Sequence, residues 1–352
     1  MNRMAFVRRL MGLAASTAIA LSSGSARAHG GDEVERSSSD PSVGPDPVAQ
    51  PPPAAVGATA WPVTLSVDLV LGWGKAPFAV QNLPGMGSQP ITYTYAAATQ
   101  SDVQSFVFAG SVEVAKHLTL GARVPLSFAT FTPPGASPDG AAARSTESFG
   151  NLELMAEYGT RTKLSRTSTL GLVTSLAVAL PTALGDEIPA NLAARDASLV
   201  DVNAYDRFSL ARAASMSRGE EESALFEPKR LGLVPRLALL YQGPSLSLEP
   251  SVKVENLLSV SNSLEAPYIG EIVPGLRVGY RVRRNVELDV RGWANVRFAS
   301  ASGDRRTSAA VEPAVVLRFG PVLPYAGVVV PVGGLPYFDS FFGIRLGVRG
   351  SF

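Results

Sequence analysis

Side chains able to do chemistry are few in this sequence, and their scarcity narrows what it can do. Its 352 residues include two histidines, His29 and His117, and no cysteine. Without cysteine there is no disulfide framework, thiolate metal site or Cys nucleophile. A copper site at a mature amino-terminal His29 would need a second ligand histidine, and His117 is the one other available. Phosphate-binding loops, EF-hand loops and Cys/His clusters are missing from the sequence. No catalytic, cofactor-binding or metal residues are expected, and the chain reads as a non-enzyme. Charge is present instead in a repeating order: Glu287, Asp289, Arg291, Asn295 and Arg297 alternate with Leu288, Val290, Gly292, Val296 and Phe298.

The elements that must position those charges are strands. Over residues 286–298 a helix would scatter the charges around its circumference, whereas a strand places all of them on one face. Thirteen residues exceed the five or six of an ordinary soluble strand and suit a tilted crossing of a bilayer. The same period of two predicts strands at 62–73, 103–115, 117–128, 148–159, 169–181 and 230–242. It continues at 245–257, 268–282, 285–298, 307–319, 322–332 and 339–352. Twelve strands, an even number, joined alternately by short turns and longer loops, predict an all-β transmembrane antiparallel barrel. The long loops fall at 74–102, 129–147 and 182–229. Only 17% of residues are charged and the mean hydropathy is +0.15. The uncharged stretch 321–338 is long enough to test as a spanning helix, but it carries four prolines and three glycines, which a helix would not tolerate. Prolines inside strands, Pro125, Pro235, Pro250, Pro274 and Pro313, are expected at bulges or rims, since each removes a ladder hydrogen bond.

With the apolar parity outward, the lumen-facing candidates are Asp68, Glu153, Glu157, Arg236, Glu249, Lys253, Arg277, Glu287, Asp289, Arg291, Arg297, Arg318, Arg345 and Arg349. Glu113, Arg123, Glu255, Glu271, Arg281 and Glu312 share their parity. Facing lipid at mid-depth, each charge would cost roughly 2–4 kcal/mol. Two roles are open to them: a salt-bridge network that stiffens a narrow barrel, or a polar conduit whose charge sets selectivity. His117 falls beside a short turn, away from any nucleophile it could activate. The 182–229 connection is too long for a plain linker. Within it, 194–217 is a candidate helix inside or above the mouth, and Glu220-Glu221-Glu222 reads as a solvated loop tip. Folded inward, this loop would constrict the pore.

The ends carry addresses. Arg3, Arg8 and Arg9 precede the apolar stretch 10–21, and Ala26-Arg27-Ala28 follows, so residues 1–28 read as a secretory signal peptide. Its removal leaves 27 basic and 30 acidic residues, which excludes a strongly basic nucleic-acid binder. Residues 29–60 are rich in Pro and Ser and are expected to form a disordered periplasmic tail. Phe342, Ile344, Leu346, Val348 and terminal Phe352 share one parity. A last strand ending in Phe resembles the signal read by the barrel-assembly machinery, a partner expected alongside outer-membrane lipid and a small-molecule solute.

A family resemblance joins these readings at Phe149-Gly150-Asn151-Leu152-Glu153-Leu154, Glu157-Tyr158 and Leu180-Pro181-Thr182-Ala183-Leu184-Gly185-Asp186. The run resembles the "G-D-L-x-L…K-Y…L-P-T-G-D" pattern of the outer-membrane transporter family named for the meta-pathway of phenol degradation. Asn151 stands for the usual Asp, Glu157 for the usual Lys, and Ala183-Leu184 interrupts the Thr-Gly pair. The segment 120–126, ending in Val124-Pro125-Leu126, also suits that family. The resemblance implies passage of small molecules, hydrophobic or aromatic ones included, across the outer membrane of a Gram-negative bacterium, with no cofactor. The alternative is a structural or secretion-type, translocator-like barrel, against which the short, Pro-rich tail argues because it is no folded passenger.

Overall fold

In the computed structural model the described residues are 62–76, 99–132, 143–185, 202–261, 267–300, 307–333 and 340–352. The signal peptide and tail expected over 1–60, His29 included, lie outside them, as do 77–98, 133–142 and 186–201 of the long loops. The first strands are β1 (Val63–Ala76), β2 (Thr99–Ala115), β3 (Leu118–Thr132), β4 (Arg144–Phe149), β5 (Glu153–Lys163) and β6 (Thr169–Ala179). Two helices follow, α1 (Val202–Ser217) and α2 (Ser223–Phe226). The chain then returns to strands: β7 (Arg230–Gln242), β8 (Leu246–Ser259), β9 (Tyr268–Arg283), β10 (Val286–Ser300), β11 (Thr307–Leu317), β12 (Val322–Val332) and β13 (Ser340–Ser351).

Every pairing is antiparallel between neighbours, and β1 pairs with β13 from Thr64↔Ser351 to Lys75↔Ser340, which closes the sheet. β4 and β5 lie end to end along β3 and form one stave, so thirteen segments make a twelve-stave barrel. Closure leaves no sheet edge and satisfies backbone groups without water, as a spanning β-structure requires. The start of β1, the end of β13 and the short turns share one end, with Val63 N–H donating to Phe352 O. The long connections leave from the other. Alternation sets the two faces: Leu288 and Val290 are 47% and 48% exposed, while Glu287 and Asp289 between them are 4% and 9% exposed.

Three expectations need correction. The strands run further into the long loops than expected, β1 to Ala76, β2 from Thr99, β3 to Thr132 and β4 from Arg144. The continuous strand expected at 148–159 is broken: three residues, 150–152, oppose Val124 and Pro125 between the pairs Leu126↔Phe149 and Arg123↔Glu153. This is a bulge, and it lies opposite a proline that has no N–H to offer. The other strand prolines cause no register shift. Pro250 and Pro274 sit in unbroken β8–β9 pairing. Pairs are lost at Pro235 and Pro313, but the register resumes unchanged from Leu233↔Asn256 to Arg236↔Lys253 and from Val311↔Val330 to Ala314↔Gly327. Each such residue interrupts a ladder locally while both flanks hold the alignment.

Candidate functional site

The charged interior is organised around the insertion that joins β6 to β7. Helix α1 packs Leu210, Ala211, Ala213, Ala214 and Met216 against Val103, Val107, Ala129, Phe131 and Phe341 of β2, β3 and β13. Ala and Ser on all its sides make it thin, and it is buried all round from Leu210 to Ser217. It ends in a Schellman turn, in which Glu220 N–H donates to Ser215 O (2.9 Å) and Gly219 N–H to Met216 O (2.9 Å). Gly219 has φ +66°, and a Cβ there would lie 2.6 Å from the Trp293 ring and 2.7 Å from Ala310. Only glycine supplies both the left-handed conformation and the close approach. Trp293 fixes the turn by donating its indole N–H to Gly219 O (2.8 Å).

Beyond the turn the acidic run is clasped from several sides. Arg218 is fully buried; its Nη1 lies 3.0 Å from Asp68 Oδ1 and 3.0 Å from Glu222 Oε2, and its Nε donates to Ser105 Oγ (3.1 Å). Burial pulls this guanidinium down to about 10, against the attraction of Asp68, and it stays charged at neutral pH. Arg123 donates to Glu222 and, at 3.0 Å, to Glu153. Arg291 donates to Glu221 (2.9 Å) and to Glu312 (2.5 Å), and its guanidinium lies 4.8 Å from the Trp293 ring. Arg345 joins Asp68 (2.6 Å), Glu312 (3.2 Å) and Glu221 (3.8 Å). Burial would raise the Glu221 carboxyl, but Arg291, Lys253, Arg345 and Arg123 together hold it below its ordinary value of 4.5. Ser308 donates to the Glu220 carboxylate, and Asn295 to its backbone oxygen (3.1 Å). The partners come from β1, β2, β3, β10, β11 and β13, so the insertion lies inside the barrel. Glu220-Glu221-Glu222 is thus no solvated tip: acids facing a ring of arginines lose water and gain charge-assisted hydrogen bonds.

The bulge at 150–152 is the seat of the insertion. Asn151, fully buried, donates to Ala224 O (2.8 Å) and Glu227 O (2.7 Å), and its Oδ1 accepts from Ala183 N–H (2.9 Å). A carboxylate there could accept but not donate. A Cβ on Gly150 would stand 2.3 Å from Leu225 O. Thr182 accepts from Leu152 N–H (2.7 Å). From β8, Glu255 accepts from Ala224 N–H (2.9 Å) and from Lys253 (2.6 Å).

Towards the short-turn end the lumen opens into a cavity of about 570 Å³, bounded by Glu221 of the insertion and by Trp293, Tyr325, Arg345 and Arg349 among others. A smaller one of about 150 Å³ adjoins the short turns. The remaining sequence candidates gather around these spaces. Arg236 meets Glu249 (2.5 Å), Arg277 meets Asp289 (2.6 Å), and Arg318 meets Glu287 (2.5 Å). Arg297 pairs with Glu271 nearer the long-loop end. Glu157 and Arg349 line the larger cavity without an ion pair among the described residues. His117 sits in the β2–β3 turn with φ 73°, its ring 6.0 Å from that of Tyr158. Among the described residues no three acidic or imidazole side chains are grouped to hold a metal.

Reasoning from sequence missed Arg218 and Ser308, and gave no role in holding the insertion to Asn151 or Trp293. One available signal was the Arg218–Glu222 spacing of four, which suits a pair on one helical turn. The seat residues stand in the family-like motif, but their bonds could not be read from it, because these depend on which backbone groups fold back against them.

No family model and no curated protein matches this sequence. Among solved structures, an outer membrane channel from Pseudomonas putida F1 has a TM-score of 0.50 at 14% identity, covering 86% of this chain and 100% of that one. The beta domain of a Bordetella autotransporter gives 0.42 at 14% identity, over 83% and 100% of the two chains. A toluene transporter from Pseudomonas putida gives 0.34 at 10%, over 84% and 90%. The first of these likenesses is one of fold: this chain has the fold of an outer-membrane β-barrel.

Proposed function

We propose that this chain is a channel of the Gram-negative outer membrane through which small molecules diffuse, with residues 202–229 as an internal closure. The observation that carries the reading is a cavity of about 570 Å³ lined by charged side chains, Glu221 of the insertion among them. A barrel built only for rigidity could fill its lumen with side chains; here an ion-paired segment occupies the long-loop half and a cavity the other. Apolar packing of α1 holds that segment together with ion pairs and hydrogen bonds, and the polar contacts can be exchanged for water when it moves.

Solutes with an apolar body suit the walls, where Trp293, Tyr325, Leu240 and Val316 alternate with the charges. The motif that resembles the phenol meta-pathway transporter family maps onto the seat of the closure, Gly150, Asn151, Glu153 and Thr182, which supports membership of that family and passage of hydrophobic or aromatic solutes. The translocator-like alternative fits less well, because a threaded tail would compete with the insertion for the same lumen. Cleavage after Ala28 and delivery by the assembly machinery through Phe352 complete the proposal. Uptake into proteoliposomes tests it. Small sugars and single-ring aromatics should enter vesicles holding the barrel faster than empty ones, and faster still when 203–228 are replaced by a short Gly-Ser link. Flux no greater than in empty vesicles for both proteins, each correctly folded, would sink the channel reading.

A further inference from the structure

The two cavities at the short-turn end hold an imbalance that the rest of the lumen lacks. Nine basic and six acidic side chains line them. Around the smaller cavity the ratio is four arginines to two glutamates. Both glutamates are shared. Glu287 serves Arg318 at 2.5 Å and Arg277 at 3.7 Å, and Glu249 serves Arg236 at 2.5 Å and Arg277 at 3.7 Å. Arg281 reaches only a backbone oxygen, that of Pro244, at 3.4 Å. Among the described residues no ion pair joins Arg161, Arg281 or Arg349 to a carboxylate. The Nε atoms of Arg281 and Arg318 are buried and make no hydrogen bond within the protein. Buried donors without acceptors are costly, and a guanidinium edge with a free N–H is suited to an oxyanion.

We infer that this vestibule is a binding site for a small organic anion, a carboxylate carried on an apolar body. Arg281 and Arg318 line the smaller cavity and would hold the carboxylate through their guanidinium groups, and Arg161 and Arg349 would add attraction at the mouth. Leu240 and Leu248 in the wall of the smaller cavity, and Val316 in that of the larger, receive the apolar part. An inorganic anion would gain only the charge; a neutral aromatic would gain only the wall. The inference deepens the channel reading by naming the class of solute, but binding does not require conduction, so each can fail alone.

The test is titration of the full-length barrel, folded in detergent, with benzoate, benzyl alcohol, benzylammonium and inorganic phosphate, followed by calorimetry or saturation-transfer NMR. Benzoate should bind saturably and the other three at least about tenfold more weakly, because each lacks one of the two recognised features. Arg281→Gln with Arg318→Gln should weaken benzoate by about tenfold or more in protein that keeps heat-modifiable migration. Should that pair fail to fold, exposed Arg161→Gln should still weaken benzoate severalfold. Benzyl alcohol binding as tightly as benzoate would overturn the inference. So would undiminished benzoate binding to the folded double variant or, where that pair does not fold, to Arg161→Gln.

Discussion

The two ends of this lumen are built from the same alternating strands yet spend their charges differently. At the long-loop end charges around the insertion are paired across it: Arg218 lies between Asp68 and Glu222, Arg123 between Glu153 and Glu222, and Arg291 between Glu221 and Glu312. At the short-turn end the balance tips: four arginines and two glutamates line the smaller cavity. Balanced, buried charge acts as an internal lock. Surplus charge facing a cavity acts on what enters. Alternation in sequence cannot separate the two, because it fixes only which face a residue occupies; the difference comes from a segment far along the chain that folds back.

The comparison can be broken from the lock outward. Removing Arg218 has the largest expected effect, since it strips a buried cation from two carboxylates. Arg218→Ala should destabilise the seated insertion by about 3–5 kcal/mol and leave the barrel folded, seen as frequent channel opening with unchanged heat-modifiable migration. Seating that survives this change would mean the clasp is not what holds the insertion. Val290→Arg probes the wall instead: an outward charge near mid-bilayer should cost about 2–4 kcal/mol and lower folding yield in lipid vesicles. Arg291→Val should fold normally and lengthen openings, because it releases Glu221. If the outward change is harmless and the inward one prevents folding, the assignment of faces is wrong.

Smaller effects sharpen the picture. Asn151→Asp keeps the shape of the seat but loses the two donated hydrogen bonds, so the insertion should loosen by about 1–3 kcal/mol. Asn151→Ser, which retains one donor, should loosen it less. The pH dependence has a definite sign. Glu221 is held below its ordinary value of 4.5, so its contribution to seating is fully present above that value and is lost as pH falls through the lower value of the seated form. The part of opening that Glu221 controls should therefore change little from pH 7 to about 5 and rise in stronger acid. Opening that rises between pH 7 and 6 would show that another group controls seating.

The barrel was largely legible because period two leaves little choice: a one-residue slip along β10 would turn Glu287, Asp289 and Arg297 into lipid. All twelve staves fall where alternation puts them. The bulge at 150–152 escaped because the residues on either side keep an acceptable alternation, and only Gly150 and Pro125 hint at the break. Strand prolines suggested irregularity that mostly does not occur, since flanking pairs hold the register. The insertion was hardest. Its helix is buried on all sides from Leu210 to Ser217, so no apolar stripe marks it there, and an acidic triplet alone reads the same whether it meets water or arginines. Which of the lumen candidates lock the insertion and which line the cavity depends on Arg218 and Glu220–Glu222, far along the chain.

Whether residues 202–229 close the lumen is tested most directly by single-channel recording in planar bilayers. Intact protein should show small, brief conductance. Protein with 203–228 replaced by a short Gly-Ser link, confirmed as folded by heat-modifiable migration, should hold a stable open level several times larger. Equal conductance in the two proteins would contradict the account, because the insertion would then not obstruct the path.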